Sequence, residues 1–274
     1  MEFSDMPHPN MISAECKLVR NDFINKDIFR LIFTWHETGQ MKYPAPKAGQ
    51  FFMIKPKRGS VFLGRPISAA KWQAGTLTFL IALRGRGTEE LSEMKTGEKA
   101  ELTGPLGKAW MDFLPPVNKG AKKHIALVGG GIGLAPLNAL LYESPGHVFD
   151  LYAGFKKSIK SIKEKNAFLD PDITGIRKII LVSEDGKTGQ KGFVTDFFEP
   201  EKYDAVCACG PQPMLKIIAE KCRNAGVPCF VSLERRMACG VGACLGCTVK
   251  TVSGNRRCCA DGPIFNAQEV FFDE

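Results

Sequence analysis

His124-Ile125-Ala126-Leu127-Val128-Gly129-Gly130-Gly131-Ile132-Gly133-Leu134-Ala135-Pro136 decides how the middle of this chain is read. His124 to Val128 has the length and apolar character of a strand buried on both faces. Glycines follow, and Ala135 to Tyr142 then reads as an apolar helix. A strand that passes into a helix through glycines is the setting a phosphate-binding turn needs. Glycine lets the backbone approach anionic oxygens, and a helix N-terminus favours negative charge. The turn is not a strict G-x-G-x-x-G, because Pro136 stands where the last glycine would be. Asp150 lies about 20 residues on, the spacing of a ribose ligand. It falls at the start of the next strand rather than at its C-terminal end, so it is discounted.

Downstream, strands are expected at Val148 to Ala153, Lys178 to Val182 and Asp204 to Ala208, alternating with helical stretches. That alternation implies a parallel sheet covered on both faces. Lys156 to Lys165 reads as a solvated helix face, with contact to a cofactor phosphate as the alternative. Cys209-Gly210-Pro211-Gln212-Pro213-Met214 marks another passage from strand to helix. Ligands bind outside the carboxyl ends of parallel strands, so Cys209 is placed to touch a nicotinamide. A buried structural thiol is the competing reading for Cys209, and Cys207 reads as packing. A helix from Pro213 to Ala225 closes the segment at Gly226, with Leu215, Ile218 and Cys222 on one core face.

Upstream, Ser13 to Pro115 shows short β-rich runs, at Ile28 to Phe33, Gln50 to Ile54 and Thr76 to Leu83, punctuated by glycine and proline. This pattern suggests a small antiparallel barrel. A short helix is expected over Glu89 to Met94, capped by Thr88. Arg65-Pro66-Ile67-Ser68 sets a permanent cation and a hydroxyl along one extended stretch, within reach of one elongated cofactor. Arg65 suits a pyrophosphate and Ser68 the edge of an isoalloxazine. Gly85-Arg86-Gly87-Thr88 opens the short helix as a second anion-friendly turn. Pro115 to Gly120 reads as a linker, and Met1 to Asn10 as a frayed extension.

Of ten cysteines, nine lie after residue 206 and five of those between 239 and 259. A disulfide scaffold would not leave the first two hundred residues nearly empty, so the crowding points to metal or redox chemistry. Cys239-x4-Cys244-x2-Cys247 with a later cysteine has the plant-type [2Fe–2S] spacing. Gly240, Gly242 and Gly246 are expected to supply the sharp turns of the loop. Three cysteines in one loop do not resemble the paired knuckles of a zinc site. Cys258 and Cys259 both remain candidates for the fourth ligand. The segment is short and poor in apolar residues, and needs such a staple.

The net charge of +8 comes without an aromatic-interleaved basic motif, so nucleic acid is not expected. No apolar run reaches the ~18–20 residues that span a bilayer, and the first residues lack a secretory pattern. A cytoplasmic protein is expected.

These motifs resemble the ferredoxin–NADP reductase superfamily, and most closely its electron-transfer subunits of NAD-linked dihydroorotate dehydrogenases. The resemblance rests on Arg65 to Ser68, Gly87-Thr88, Gly104 to Gly107, Gly129 to Leu137, Lys191 to Asp196, Cys209 to Met214, Ser232 to Gly240 and Cys259 to Phe265. It implies a multidomain β and α/β chain: an extension (1–12), an FAD-binding antiparallel β-barrel (13–117), a parallel-sheet NAD-binding domain (121–226) and a small C-terminal [2Fe–2S] domain (227–274). It places Arg65, Pro66, Ile67, Ser68, Leu80, Ile81, Ala82, Gly87 and Thr88 on FAD. Gly130, Gly131, Ile132, Gly133, Cys209, Gly210, Pro211 and Met214 fall to NAD, with NADP as the alternative. Ser68 and Cys209 take the catalytic positions. The Cys-x-Asp-Gly-Pro motif selects Cys259 as fourth ligand beside Cys239, Cys244 and Cys247. The implied partner is an FMN-containing catalytic subunit in a heterotetramer, working in pyrimidine biosynthesis. Electrons would pass from it through the cluster and FAD to NAD+. Related subunits serve NADH-dependent ferredoxin:NADP oxidoreductases, sulfide dehydrogenases and hydrogenases. A zinc-stabilised nucleotide-binding regulator is the reading from another class.

Overall fold

The computed structural model describes residues 10–36, 43–116, 122–143, 146–171, 173 and 175–272. The expected extension up to Pro9, and the expected linker from Val117 to Gly120, lie outside them. The first seven strands are β1 (Ile12–Asn25), β2 (Ile28–Thr34), β3 (Phe51–Pro56), β4 (Arg65–Ser68), β5 (Lys71–Gln73), β6 (Thr76–Ala82) and β7 (Lys99–Leu106). They pair antiparallel in the order β4-β3-β7-β1-β2-β6-β5. The long strand β1 makes the corner. Its first half, Ile12 to Lys17, pairs with β7, and its second half, from Leu18, pairs with β2 through two register shifts. Such irregularities bend a strand and let one chain serve two sheet segments. The sheet curls until β4 lies beside β6. Inside it Trp35, Phe52 and Phe79 meet edge to face, with centroids 5.0 and 5.7 Å apart. Such pairs add about 0.5–1.5 kcal/mol each beyond their buried area.

Helix α1 (Arg86–Ser92) starts three residues earlier than expected, and Thr88 is its third residue rather than its cap. The Thr88 hydroxyl reaches back instead, accepting the backbone N–H of Arg84 at 2.8 Å and donating to the Gly85 carbonyl at 2.9 Å. Glycine propensity alone would argue against a helix over Arg86 and Gly87. Here those contacts override it.

The second sheet contains β8 (His124–Gly130), β9 (Val148–Phe155), β10 (Ile176–Ser183), β11 (Gln190–Lys191), β12 (Ala205–Cys209) and β13 (Cys229–Ser232). A hairpin of β14 (Thr248–Thr251) and β15 (Gly254–Arg257) follows, and β16 (Ile264–Asn266) returns to the edge of the sheet. The order is β11-β10-β9-β8-β12-β13-β16, parallel except for β16. The chain moves outward on one side of β8 and then crosses to the other, so the switch point lies between β8 and β12. Helices α2 (Leu134–Glu143), α3 (Ile162–Phe168) and α4 (Gln212–Ala225) accompany the sheet. Gly226 ends α4 in the left-handed conformation, φ 68°. Helix α3 takes only part of Lys156 to Lys165. Ser161 caps it, accepting the Glu164 N–H at 3.1 Å, and Lys156 to Lys160 form a loop. The sheet includes β13 and β16, both from the stretch whose composition reads as the cysteine unit. No helix among the described residues is long and apolar enough to cross a membrane.

Among the described residues, polar links tie the barrel to the second sheet's helices, Lys163 on α3 to Asp22 and to the Phe23 carbonyl of β1 among them. Trp110 Nε1 donates to the Pro136 carbonyl (3.2 Å), Asn25 Nδ2 to Glu164 (2.6 Å) and the Ala48 N–H to Glu143.

At the amino ends of β8 to β10, Asp150 is 1% exposed. It accepts two bonds from the Arg177 guanidinium, at 3.0 and 2.7 Å, and one from Tyr203 Oη at 3.0 Å. His124 Nε2 lies 3.3 Å away. Asp150 is thus occupied structurally, far from any ligand at the carboxyl ends. Burial pushes its carboxyl up, but the bonds from Arg177, His124 and Tyr203 outweigh that and hold it below 3.8. A depressed carboxyl stabilises the fold above its unfolded value and loses that contribution as the pH falls through its folded value. Arg177 is half in solvent, so Asp150→Asn is expected to cost only about 1–2 kcal/mol at neutral pH. In urea titrations the gap between wild type and variant should close as the pH falls below 3.8.

Candidate functional site

The carboxyl ends of β8, β12 and β13 are in register: Cys209 stands opposite Gly129 on one side and Ser232 on the other. A cavity of about 710 Å³ opens there, against β4 and β6 of the barrel. Its wall brings together Arg65, Pro66, Ile67, Ser68, Leu80, Ile81, Ala82 and Thr88 from the barrel with Ile132, Gly133 and Cys209 from the sheet. Gly87, Gly130, Gly131, Gly210, Pro211 and Met214 stand behind or beside this wall rather than in it.

Gly87 supports Arg65. A Cβ there would fall 1.8 Å from Arg65 Nε, so the guanidinium lies directly on the helix backbone. Gly133 plays the same part on the other side: a Cβ would fall 2.2 Å from the Cys209 carbonyl oxygen. Gly130 and Gly210 meet backbone to backbone, with Pro211 and Met214 packed against them. The two glycine loops therefore form one interlocked floor. Gly131 has φ 54° and open space on its Cβ side, which leaves its backbone free to meet a phosphate.

Cys209 is 4% exposed. Burial, and then the negative charge of Glu234, push its thiol up to about 12. It is a neutral S–H at neutral pH, suited to lie against a ring and unsuited to attack one. Cys207 and Cys222 are fully buried, in the core on either face of the sheet.

The wall also includes Ser232, Leu233, Glu234, Arg235, Arg236, Met237 and Pro263. Leu233 donates its N–H to the Pro263 carbonyl at 2.9 Å, which fixes the exit from β13. Sequence reasoning gave these residues no place in the site. The available signal was their position just past the carboxyl end of a parallel strand.

The same exit delivers the cysteines. Cys239 Sγ accepts N–H groups from Val241 (3.4 Å) and Cys244 (3.5 Å). Cys259 Sγ accepts the Gly242 N–H at 3.1 Å, and Cys247 Sγ the Cys259 N–H at 3.4 Å. Burial pushes the Cys239 thiol up, but N–H groups of Cys244, Val241 and Ala243 bring it down to about 7. Donors aimed at sulfur are what a thiolate-bound, negatively charged cluster requires. The side chains of Cys239 and Cys244 meet, and so do those of Cys247 and Cys259. Two pairs suit a two-iron unit. Among the described residues no group of three or more His, Cys, Asp and Glu side chains is set to hold a single ion. Cys258 turns away: its thiol donates to the Leu233 carbonyl at 3.3 Å, and burial pushes it up to about 12. Of the turns expected at glycine, Gly240 (φ 73°) and Gly242 (φ 82°) have them, whereas Leu245 (φ 58°) takes the left-handed position in place of Gly246.

The family described as the iron–sulfur cluster binding domain of dihydroorotate dehydrogenase B matches residues 234–271. A dihydroorotate dehydrogenase B (NAD(+)) electron transfer subunit of Clostridium perfringens is 41% identical over 229 residues, covering 82% of this chain and 87% of the relative. The chain belongs to this family of electron transfer subunits. The corresponding subunit of Caldanaerobacter subterraneus is 36% identical, with 94% of this chain and 98% of the relative covered. Among solved structures, a chain of an NADH-dependent reduced ferredoxin–NADP oxidoreductase superposes with a TM-score of 0.75 at 26% identity, covering 95% of this chain and 91% of its own.

The geometry separates the adjacent cysteines. Cys259→Ser is expected to lower bound iron at least several-fold and bleach the visible cluster absorbance, while Cys258→Ser keeps both. Iron and sulfide analysis of the purified variants checks this, and the reverse outcome would move the fourth ligand to Cys258.

Proposed function

We propose that this chain is the electron transfer subunit of an NAD-dependent dihydroorotate dehydrogenase, carrying electrons between a cluster, FAD and NAD+. The carrying observation is that one continuous stretch, Ser232 to Met237, lines the cavity and runs on into Cys239. A flavin in that cavity and a cluster in that loop would share a wall of a few residues.

The residues divide the work. Arg65, braced on Gly87, would hold the FAD pyrophosphate, and Pro66, Ile67 and Ser68 would hold the isoalloxazine, the Ser68 hydroxyl supplying a hydrogen bond to it. Leu80, Ile81 and Ala82 on β6 form the neighbouring wall, and Thr88 fixes the turn at the phosphates. Gly130, Gly131, Ile132 and Gly133 bring backbone to the NAD pyrophosphate. Gly210, Pro211 and Met214 would back a bound nicotinamide, with the neutral Cys209 thiol on the cavity wall beside it. Cys239, Cys244, Cys247 and Cys259 hold a [2Fe–2S] unit. Bound FAD supplies the exchange between single electrons and a hydride. The dihydroorotate itself belongs to an FMN-containing catalytic partner, and this chain contacts that partner rather than the pyrimidine. None of the ten cysteines is paired in a disulfide, in keeping with a cytoplasmic protein.

The purified protein should show flavin and iron–sulfur absorbance, and together with its catalytic partner it should reduce NAD+ with dihydroorotate. A colourless zinc protein, or a native partner without FMN, would overturn the reading. Cys209→Ala should leave flavin content unchanged and slow hydride exchange with NADH by roughly ten- to a hundred-fold, the scale on which misplaced reacting groups act. Stopped-flow reduction of the bound flavin measures it. Lys156 and Lys157 lie exposed just beyond β9, so turnover with NAD+ and NADP+ should be compared in the same assay.

A further inference from the structure

We propose that Phe62 is the platform on which the adenine of FAD stacks, an assignment that rests on the flavin reading of the cavity. Strand β4 sets the direction. Ser68 stands at the flavin edge and Arg65 at the pyrophosphate, about 10 Å apart at the rise of an extended chain. Going back from Arg65, the chain passes Gly64 and then Leu63, which still lines the cavity. Phe62 is the next residue, one step past that lining on the loop that leads into β4. The part of FAD beyond the pyrophosphate is adenosine, and three residues beyond Arg65 is where it needs a surface.

Phe62 is 82% exposed, the highest value among the large apolar side chains of the described residues. Nothing in the fold uses its ring as core. Yet the loop that carries it is held in place. Glu90 on α1 accepts the N–H of Ser60 at 3.0 Å and that of Val61 at 3.3 Å, and the Ser60 hydroxyl as well. Gly59 (φ 149°) presses so close that a Cβ would fall 2.4 Å from Glu90 Oε2. Lys55 Nζ sits 5.0 Å from the Phe62 ring centroid, covering one face. The other face is left for a flat π system. Glu90 follows Gly87 by one turn of α1, so the helix that braces Arg65 also braces this loop. One short helix thus sets both the pyrophosphate cation and the aromatic ring beyond it.

The test compares two flavins. FAD and FMN share the isoalloxazine, ribityl chain and first phosphate, and only FAD carries adenine. Flavin is stripped from the full chain, and each flavin is titrated back by fluorescence quenching, with wild type, Phe62→Ala and Phe62→Trp. Phe62→Ala is expected to weaken FAD about ten-fold, as loss of base–aromatic stacking does, and to leave FMN within two-fold. Phe62→Trp should recover FAD binding. The proposal is overturned if Phe62→Ala binds FAD like wild type. It is equally overturned if FAD and FMN weaken together, which reports damage to the loop. A wild-type protein that takes up neither flavin would sink the flavin reading as well, and that result is separate from the other two.

Discussion

The ladder between β12 and β13 is the constraint on which the rest depends. It sets Cys209 beside Ser232, and so fixes where the chain leaves the sheet. From that point the chain lines the cavity, turns through Gly240 and surrounds the cysteine loop. The C-terminal unit has little core of its own. Val249, Cys247 and Phe265 belong to the same buried cluster as Val206, Ala208 and Val231 of the sheet. Strand β16 pairs back onto β13, and Gly240 rests on Met53 and Leu106 of the barrel. The cysteines are therefore held relative to the cavity by the sheet and barrel together.

The two ends of the parallel sheet have different tasks. At the carboxyl ends glycines replace side chains, backbones touch and an open cavity remains. At the amino ends a buried carboxylate is satisfied by Arg177 and Tyr203, with His124 Nε2 3.3 Å away. Tyr203 passes the network on to Tyr152, 2.7 Å away. Each end could serve only one of these purposes. A site that must admit a dinucleotide leaves backbone amides free, whereas a buried charge needs every partner supplied by the protein.

Much of this was legible from residue order. Apolar runs marked β8, β9, β10 and β12 to within a few residues; β8 and β12 are buried on both faces and carry no polar alternation to confuse them, whereas β10 keeps Arg177 and Lys178 exposed at its start. Asp150 was discounted by its place at a strand's start, and the structure occupies it with Arg177. The cysteine spacing was legible because a small cluster imposes it on a local loop. What escaped was set by contacts between distant parts. Helix α1 begins early because Thr88 and Arg65 support its glycine-containing start. The wall from Ser232 to Met237 has no motif of its own chemistry, and it joins the site only because β13 is laid beside β12. The left-handed turn at Leu245 could not be read either, since leucine rarely adopts it.

The interlocked floor beneath the cavity has a thermodynamic consequence. Gly133 lies against the Cys209 carbonyl and Gly130 against Gly210, with no side chain between them that could swing aside. Loops that are free before binding must surrender conformational entropy when a ligand arrives, and that loss is subtracted from affinity. Here the surrender has already been made during folding. A dinucleotide bound on that floor would meet a surface already held in shape, which lowers the ordering cost subtracted from its affinity.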